Sequence, residues 1–215
     1  MRSSPSSPEP PDSPLARVRV RGITRSDFIV RGALATAAAA GTGSVAPFVG
    51  RAFAQSDASD AAIFDFAFRL ESIEVALYKQ ALKQVPDMST HTSRLVREIL
   101  DHEREHKSTI SETVLQLGIK HDPSPKTDFG TSFASENDFL GVASKLEEAN
   151  VGAYNGVLPK VFSPQLLVVI ATIGQIEARH AAVIRDLLGK PITDAAFDKP
   201  RTEAEVAGVI RPYVK

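Results

Sequence analysis

From residue 57 onward, apolar positions recur every three or four residues, the period of an α-helix with one buried face. "DASDAAIFDFAFRLESIEVALYKQALKQ" (57–84) carries a stripe through Phe66, Leu70, Leu77 and Ala81. "VPDMS" interrupts it. "THTSRLVREILDHEREHKSTISETVLQLG" (90–118) carries a second through Leu95, Ile99, Ile110, Val114 and Leu117, with Gly118 as its C-cap. A polar stretch with two prolines runs from Ile119 to about Ser135. The third segment, "ENDFLGVASKLEEANVGAYNGVL" (136–158), stops at Pro159. Ser163 then caps a fourth, "PQLLVVIATIGQIEARHAAVIRDLLG" (164–189), with Pro164 at its first position and Gly189 at its end. The tail "FDKPRTEAEVAGVIRPYVK" holds one short helix, and no segment alternates like a strand. The pattern predicts an all-α protein, a four-helix bundle with a short C-terminal tail helix. The 17 residues from Ile119 to Ser135 reach about 55–60 Å when extended. A helix of 27 residues is about 40 Å long. The connection therefore predicts a crossover along the bundle, with helices two and three parallel.

Two stripes contain residues that do not belong on a buried face. Glu103 and His106 continue the line from Ile99 to Ile110, and Glu177 and His180 continue the line from Ile173 to Ile184. Desolvating an unpaired charge is costly, so a buried carboxylate needs a reason. Both pairs read E-x-x-H, and each has a glutamate 29 residues upstream: Glu74 before Glu103 (103 − 74) and Glu148 before Glu177 (177 − 148). Periodicity alone also admits Glu71 and Glu147. The equal spacing favours Glu74 and Glu148, and leaves Glu71, Glu147 and Glu105 to solvated faces or outer contacts.

The reading is of two helical hairpins, each giving one Glu from its first helix and E-x-x-H from its second. The candidate ligands are Glu74, Glu103, His106, Glu148, Glu177 and His180. Four carboxylates balance two divalent metal ions, and an oxygen-rich shell with two imidazoles suits iron or manganese. O₂ or a peroxide is then a natural partner between the ions.

A rival reading starts at His102, where the same stretch becomes H-E-x-x-H, the zinc-protease pattern with Glu103 as base. It leaves Glu177, His180 and the repeat unexplained, and it lacks a clear third ligand. Tyr78 and Tyr154 read as core aromatics with satisfied hydroxyls, or else as partners of ligand carboxylates or quenchers of a radical. Asp101 and Gln175 are solvated or orient a ligand histidine. His121, in "KHDPSPKTD", reads as part of a plain loop.

Composition narrows the classes. The chain has 215 residues and no cysteine, which excludes disulfides, thiolate zinc sites and iron–sulfur clusters. Residues 1–54 hold seven Arg and three acidic residues, a net of +4. The remainder holds 18 basic and 23 acidic residues, a net of −5. The mildly acidic remainder has no basic footprint for nucleic acid. "MRSSPSSPEPPDSP" is Pro/Ser-rich and predicts disorder. "ITRSDFIVRGALATAAAAGTGSVAPFVGRAFAQ" has a basic start, a weak apolar stretch interrupted by Arg31, and Ala52-Phe53-Ala54 at its end. That is the layout of a secretory leader cleaved near Ala54, and it is too weakly apolar for a stable membrane span. The expected organisation is a disordered start and leader over 1–55, the bundle over 56–189, and a tail packing on it over 190–215. The mature chain is expected outside the cytoplasm, periplasmic or extracellular; a homo-oligomer is compatible with all of this.

"LESIEVALYKQAL", "DHEREH", "LEEANVGAYNGV" and "IEARHAAVIRDLLG" resemble, in order, the four helical motifs of the ferritin-like superfamily. Within it, the chain resembles the exported family related to desiccation-associated proteins, and "FDKPRTEAEV" resembles that family's ending. "TRSDFIV" resembles a twin-arginine leader, with Ser26 where the second arginine should stand. The resemblance covers roughly residues 58 to 213. It implies a ferritin-like four-helix bundle, the six metal ligands named above, and ferroxidase, peroxide-reducing, catalase or oxygenase chemistry in stress protection. A structural stress protein with the same fold and no catalysis is the alternative.

Overall fold

The computed structural model describes residues 58–116, 123–193 and 195–215. The leader and Gly118 lie outside these. The described residues form α1 (Ala58–Gln84), α2 (Thr90–Gln116), α3 (Glu136–Val157), α4 (Pro164–Leu187) and the short α5 (Glu203–Ile210), with 3₁₀ turns at Leu158–Lys160 and Arg211–Tyr213. Their only strand-like feature is an isolated bridge between Thr127 and Val214.

Local chemistry sets the ends. The Ser135 hydroxyl accepts from the backbone N–H of Asp138 at the start of α3, and Ser163 caps α4 ahead of Pro164. Gly189, at φ +65°, closes α4: its N–H bonds to Asp186 O, and that of Lys190 to Arg185 O. This paired C-terminal cap needs a left-handed residue. Asp60, fully buried, accepts from the backbone N–H groups of Phe162 and Ser163 at 2.7 and 2.9 Å, which fastens the start of α1 to the start of α4.

Two apolar clusters give the helix directions. One gathers Leu77 and Ala81 near the end of α1, Val96 and Leu100 near the start of α2, Phe139 and Ala143 near the start of α3, and Ile184 near the end of α4. The other gathers Phe64, Val114, Tyr154 and Leu166 from the opposite ends of the same helices. So α2 and α3 run parallel, as the length of their connection predicts. Glu136 at the start of α3 accepts from the Ser89 N–H and the Thr92 hydroxyl, both at 2.6 Å, which places the two helix starts side by side. The crossover brings Phe129 and Phe133 into the first cluster. Helix α4 is long and apolar enough to cross a bilayer. Here it buries Leu166, Ile170, Ile173 and Ile184 in the bundle.

The tail is seated on α3 through two glycines. The N–H of Arg201 bonds to the carbonyl of Gly152 at 2.8 Å. A Cβ on Gly156 would stand 2.0 Å from the carbonyl oxygen of Arg201, and one on Gly152 would stand 2.6 Å from its Cγ. Val206 then packs with Leu70, Ala149 and Ala153. Gly156→Ala is therefore expected to lift this strap and to cost about 1–3 kcal/mol, as overpacking usually does. It should also open the chain near Lys199 and Arg201 to trypsin. Gly141→Ala, where the added carbon meets nothing within 4 Å, is the control. A Gly156→Ala protein as stable and as trypsin-resistant as that control would refute the clamp.

Candidate metal centre

Between the two apolar clusters, each helix delivers acidic or imidazole side chains inward. Glu71 of α1 lies between Phe68 and Ile73, Glu103 and His106 of α2 between Leu100 and Ile110, and Glu177 and His180 of α4 between Ile173 and Ile184. Glu147 of α3 completes the ring. All four carboxylates are fully buried, and both histidines nearly so. Their ligand atoms form two overlapping sets: Glu71, Glu103, His106 and Glu177, and Glu103, Glu147, Glu177 and His180, each within 4.8 Å. Glu103 and Glu177 belong to both. Nδ1 of His106 is 2.8 Å from Glu177 and 3.5 Å from both Glu71 and Glu103. Nδ1 of His180 is 2.7 Å from Glu103, 3.8 Å from Glu147 and 3.9 Å from Glu177.

Despite these short distances, both Nδ1 atoms, both oxygens of Glu103 and of Glu177, and one oxygen each of Glu71 and Glu147 lack a hydrogen-bond partner. The atoms converge on shared points rather than on one another. Buried polar atoms are normally satisfied, so a cluster of orphaned carboxylate oxygens with imidazole nitrogens fits a pair of cations. These groups can hold metal ions.

The two sets include four of the six positions read from the sequence and leave out two. Glu148 points away from the centre: its side chain is 40% exposed and accepts from Arg185 at 3.1 Å. Glu147, one residue and about 100° earlier on the helix, takes the inward place. Glu74 is buried, with Asn150 donating to it, but lies outside both sets; Glu71, about one turn earlier, stands in them.

The repeat is real, with a different offset. Glu71 and Glu147 are 76 residues apart, as are Tyr78 and Tyr154 and Glu74 and Asn150, whereas Glu103 and Glu177 are 74 apart (147 − 71, 154 − 78, 150 − 74, 177 − 103). The inward glutamates of the two hairpins differ by two residues in spacing (103 − 71 = 32, 177 − 147 = 30), so equal spacing pointed to Glu74 and Glu148 instead. The recurring E-x₆-Y was the usable signal. Tyr78 donates to Glu147 and Tyr154 to Glu71, so each tyrosine reaches across the pseudo-repeat to the other half's glutamate.

The electrostatics are those of crowded buried anions. Burial first, then the charge of Glu71, pushes Glu177 up to about 7. Burial followed by Glu177 raises both Glu103 and Glu147; Glu74 is raised by burial and by Glu147. Burial opposes the charge of His106, yet the carboxylates of Glu103, Glu177 and Glu71 outweigh it and lift His106 to about 12. Burial, then the neighbouring histidines, lowers His180 to about 3. Among the described residues, the ion-pair contacts of these four carboxylates are with the two histidines alone; no Lys or Arg reaches them.

Other candidates stand apart. His102 belongs to neither set, so the H-E-x-x-H pair does not converge on one point. Asp101 accepts from Arg104 on the surface, while Gln175 and Glu105 are exposed; His121 lies outside the described residues. A cavity of about 430 Å³ lies beneath the tail between Glu148, Arg185 and Arg201 and touches none of the six inward residues. None of the curated proteins compared matches the chain. A family model described as a ferritin-like domain matches residues 59–190. With four helices and a buried carboxylate–histidine centre between them, the chain belongs to this ferritin-like domain family.

Proposed function

We propose that the protein is an exported dimetal-carboxylate protein that binds two iron or manganese ions and acts on iron, O₂ or peroxide in stress protection. The observation that carries the metal reading is the set of four buried carboxylates whose ion-pair partners, among the described residues, include no Lys or Arg. Each unpaired buried ion costs several kcal/mol, and four together have no structural use without cations. Glu71, Glu103, His106 and Glu177 would hold one ion, and Glu103, Glu147, Glu177 and His180 the other. Two such ions supply one-electron steps toward oxygen species. The surrounding chain excludes bulk water, since every carboxylate of the ring is buried. Tyr78 and Tyr154 hold their hydroxyl protons against Glu147 and Glu71 and so fix the orientation of those carboxylates. Export rests on the leader-like segment before Gln55.

The test is elemental analysis of protein expressed with its leader and purified without chelator, followed by O₂ and peroxide consumption. Up to two ions per chain and turnover that chelators abolish are expected. Metal-free protein whose thermal stability ignores added Mn²⁺ or Fe²⁺ would leave the structural stress protein as the reading. Two bound ions without turnover would retain the metal site and remove the redox role.

A further inference from the structure

The two halves of the centre are supported unequally. His102 stands immediately before Glu103, and the matching residue before Glu177 is Ile176. Nδ1 of His102 is 3.0 Å from Nε2 of His180. The two ring centroids are 5.3 Å apart and the ring planes only 11° from parallel. That centroid separation exceeds the nitrogen–nitrogen distance by about two ring radii, which is the most the distance allows. The two nitrogens therefore point straight at each other. With nearly parallel planes, the rings meet edge to edge in one plane, the geometry of an in-line hydrogen bond. The opposite edge of His180 turns Nδ1 toward Glu103, Glu147 and Glu177.

A neutral imidazole has one N–H and one lone pair. Donation from Nε2 of His180 to His102 keeps the proton on Nε2 and the Nδ1 lone pair facing the carboxylates, as a metal ligand requires. Such an outer partner fixes the tautomer and raises the basicity of the ligand. In the other half, the Ile176 side chain has no atom that could accept from an imidazole.

We propose that His102 is a positioning residue which, through His180, makes the set Glu103, Glu147, Glu177 and His180 the tighter cation position, filled first. This rests on the dimetal reading above. It is tested by calorimetric titration of Mn²⁺ into the metal-free full chain. Two steps separated by about tenfold or more are expected. His102→Leu, at an exposed position, should weaken the first step about 10–100-fold and leave the second unchanged. His102→Asn places an amide oxygen near the position of Nδ1 and should restore the first step.

Equal steps in the parent protein overturn the inference. So does a Leu variant that weakens both steps alike or neither, or an Asn variant that fails to rescue. If two ions bind without any dependence on His102, the dimetal reading survives and this inference fails. If the parent protein binds no Mn²⁺ at all, both fall.

Discussion

Glu103→Gln is expected to release both metal ions while raising the melting temperature of the metal-free protein. Glu103 belongs to both ligand sets, so its loss removes a donor from each ion. The affinity loss should exceed the roughly 10–100-fold that substituting an outer partner costs. Without metal the same carboxylate is a liability. It is fully buried, and burial and Glu177 both disfavour its charge. Folding must therefore desolvate a charge or take up a proton. A neutral amide of the same size avoids that, and the metal-free variant should gain about 1–3 kcal/mol, the usual penalty of an unsatisfied buried polar group. A gain of 1 kcal/mol corresponds to about 2–4 °C in a domain of this size. Glu177→Gln should behave alike. Glu71→Gln and Glu147→Gln should each loosen one ion, and Glu148→Gln should change neither metal content nor its stoichiometry. Metal analysis beside thermal unfolding in chelator decides the matter. A Glu148 variant that loses metal while the Glu147 variant retains it would reverse the assignment of α3.

The second expected result is opposite pH dependence of the metal-free and metal-loaded forms. Glu177 is raised from 4.5 to about 7 in the folded chain. A raised carboxylate contributes stability that is fully present below its unfolded value and lost as pH rises through its folded value. For Glu177 that window runs from about 4.5 to about 7. His106, raised from 6.5 to about 12, has the same sign, its contribution declining from 6.5 upward; His180, lowered to about 3, has the opposite sign and offsets Glu177 below 6.5, while the raised Glu74, Glu103 and Glu147 keep the net decline. With metal bound the sign reverses, because the ligands must be deprotonated and protons compete with the ions. Surface carboxylates lowered by their partners, such as Asp128 beside Lys215 and Glu205 at the Thr202 cap, act equally on both forms and cancel in the difference. The melting-temperature gain on adding Mn²⁺ should therefore shrink steadily as pH falls from 7 to 4.5. At saturation of 100 times Kd, one site contributes about 2.7 kcal/mol. A gain that stays constant across this range would show that the ions do not bind at these carboxylates.

The helices, their order and the crossover were legible in the sequence because they depend on local signals. Apolar residues at a 3.6 period mark the buried faces, Ser135 and Ser163 cap helix starts, and a long polar connection implies a parallel neighbour. The E-x-x-H pairs were legible for the same reason: on α2 and α4 a charged residue interrupts a clean apolar stripe, and only one face of each helix is buried near it. The glutamates of α1 and α3 were not. Helix α3 buries nearly every residue from Phe139 to Tyr154, because the bundle covers one side and the tail strap covers another through Arg201 and Val206. Covered over most of its circumference, the helix leaves only a narrow unburied stripe through Gly141, Lys145 and Glu148, so the periodicity that separates Glu147 from Glu148 is weak in the sequence. On α1, Glu71 and Glu74 are both buried, and only the partners across the bundle separate them: Tyr154 for Glu71, Asn150 for Glu74. The sequence by itself determined which helices form and that two of them carry a buried glutamate–histidine pair able to hold a metal. Which glutamates complete the ring, and which imidazole has a second imidazole behind it, was decided by tertiary structure, because those choices depend on the rotation of one helix against another.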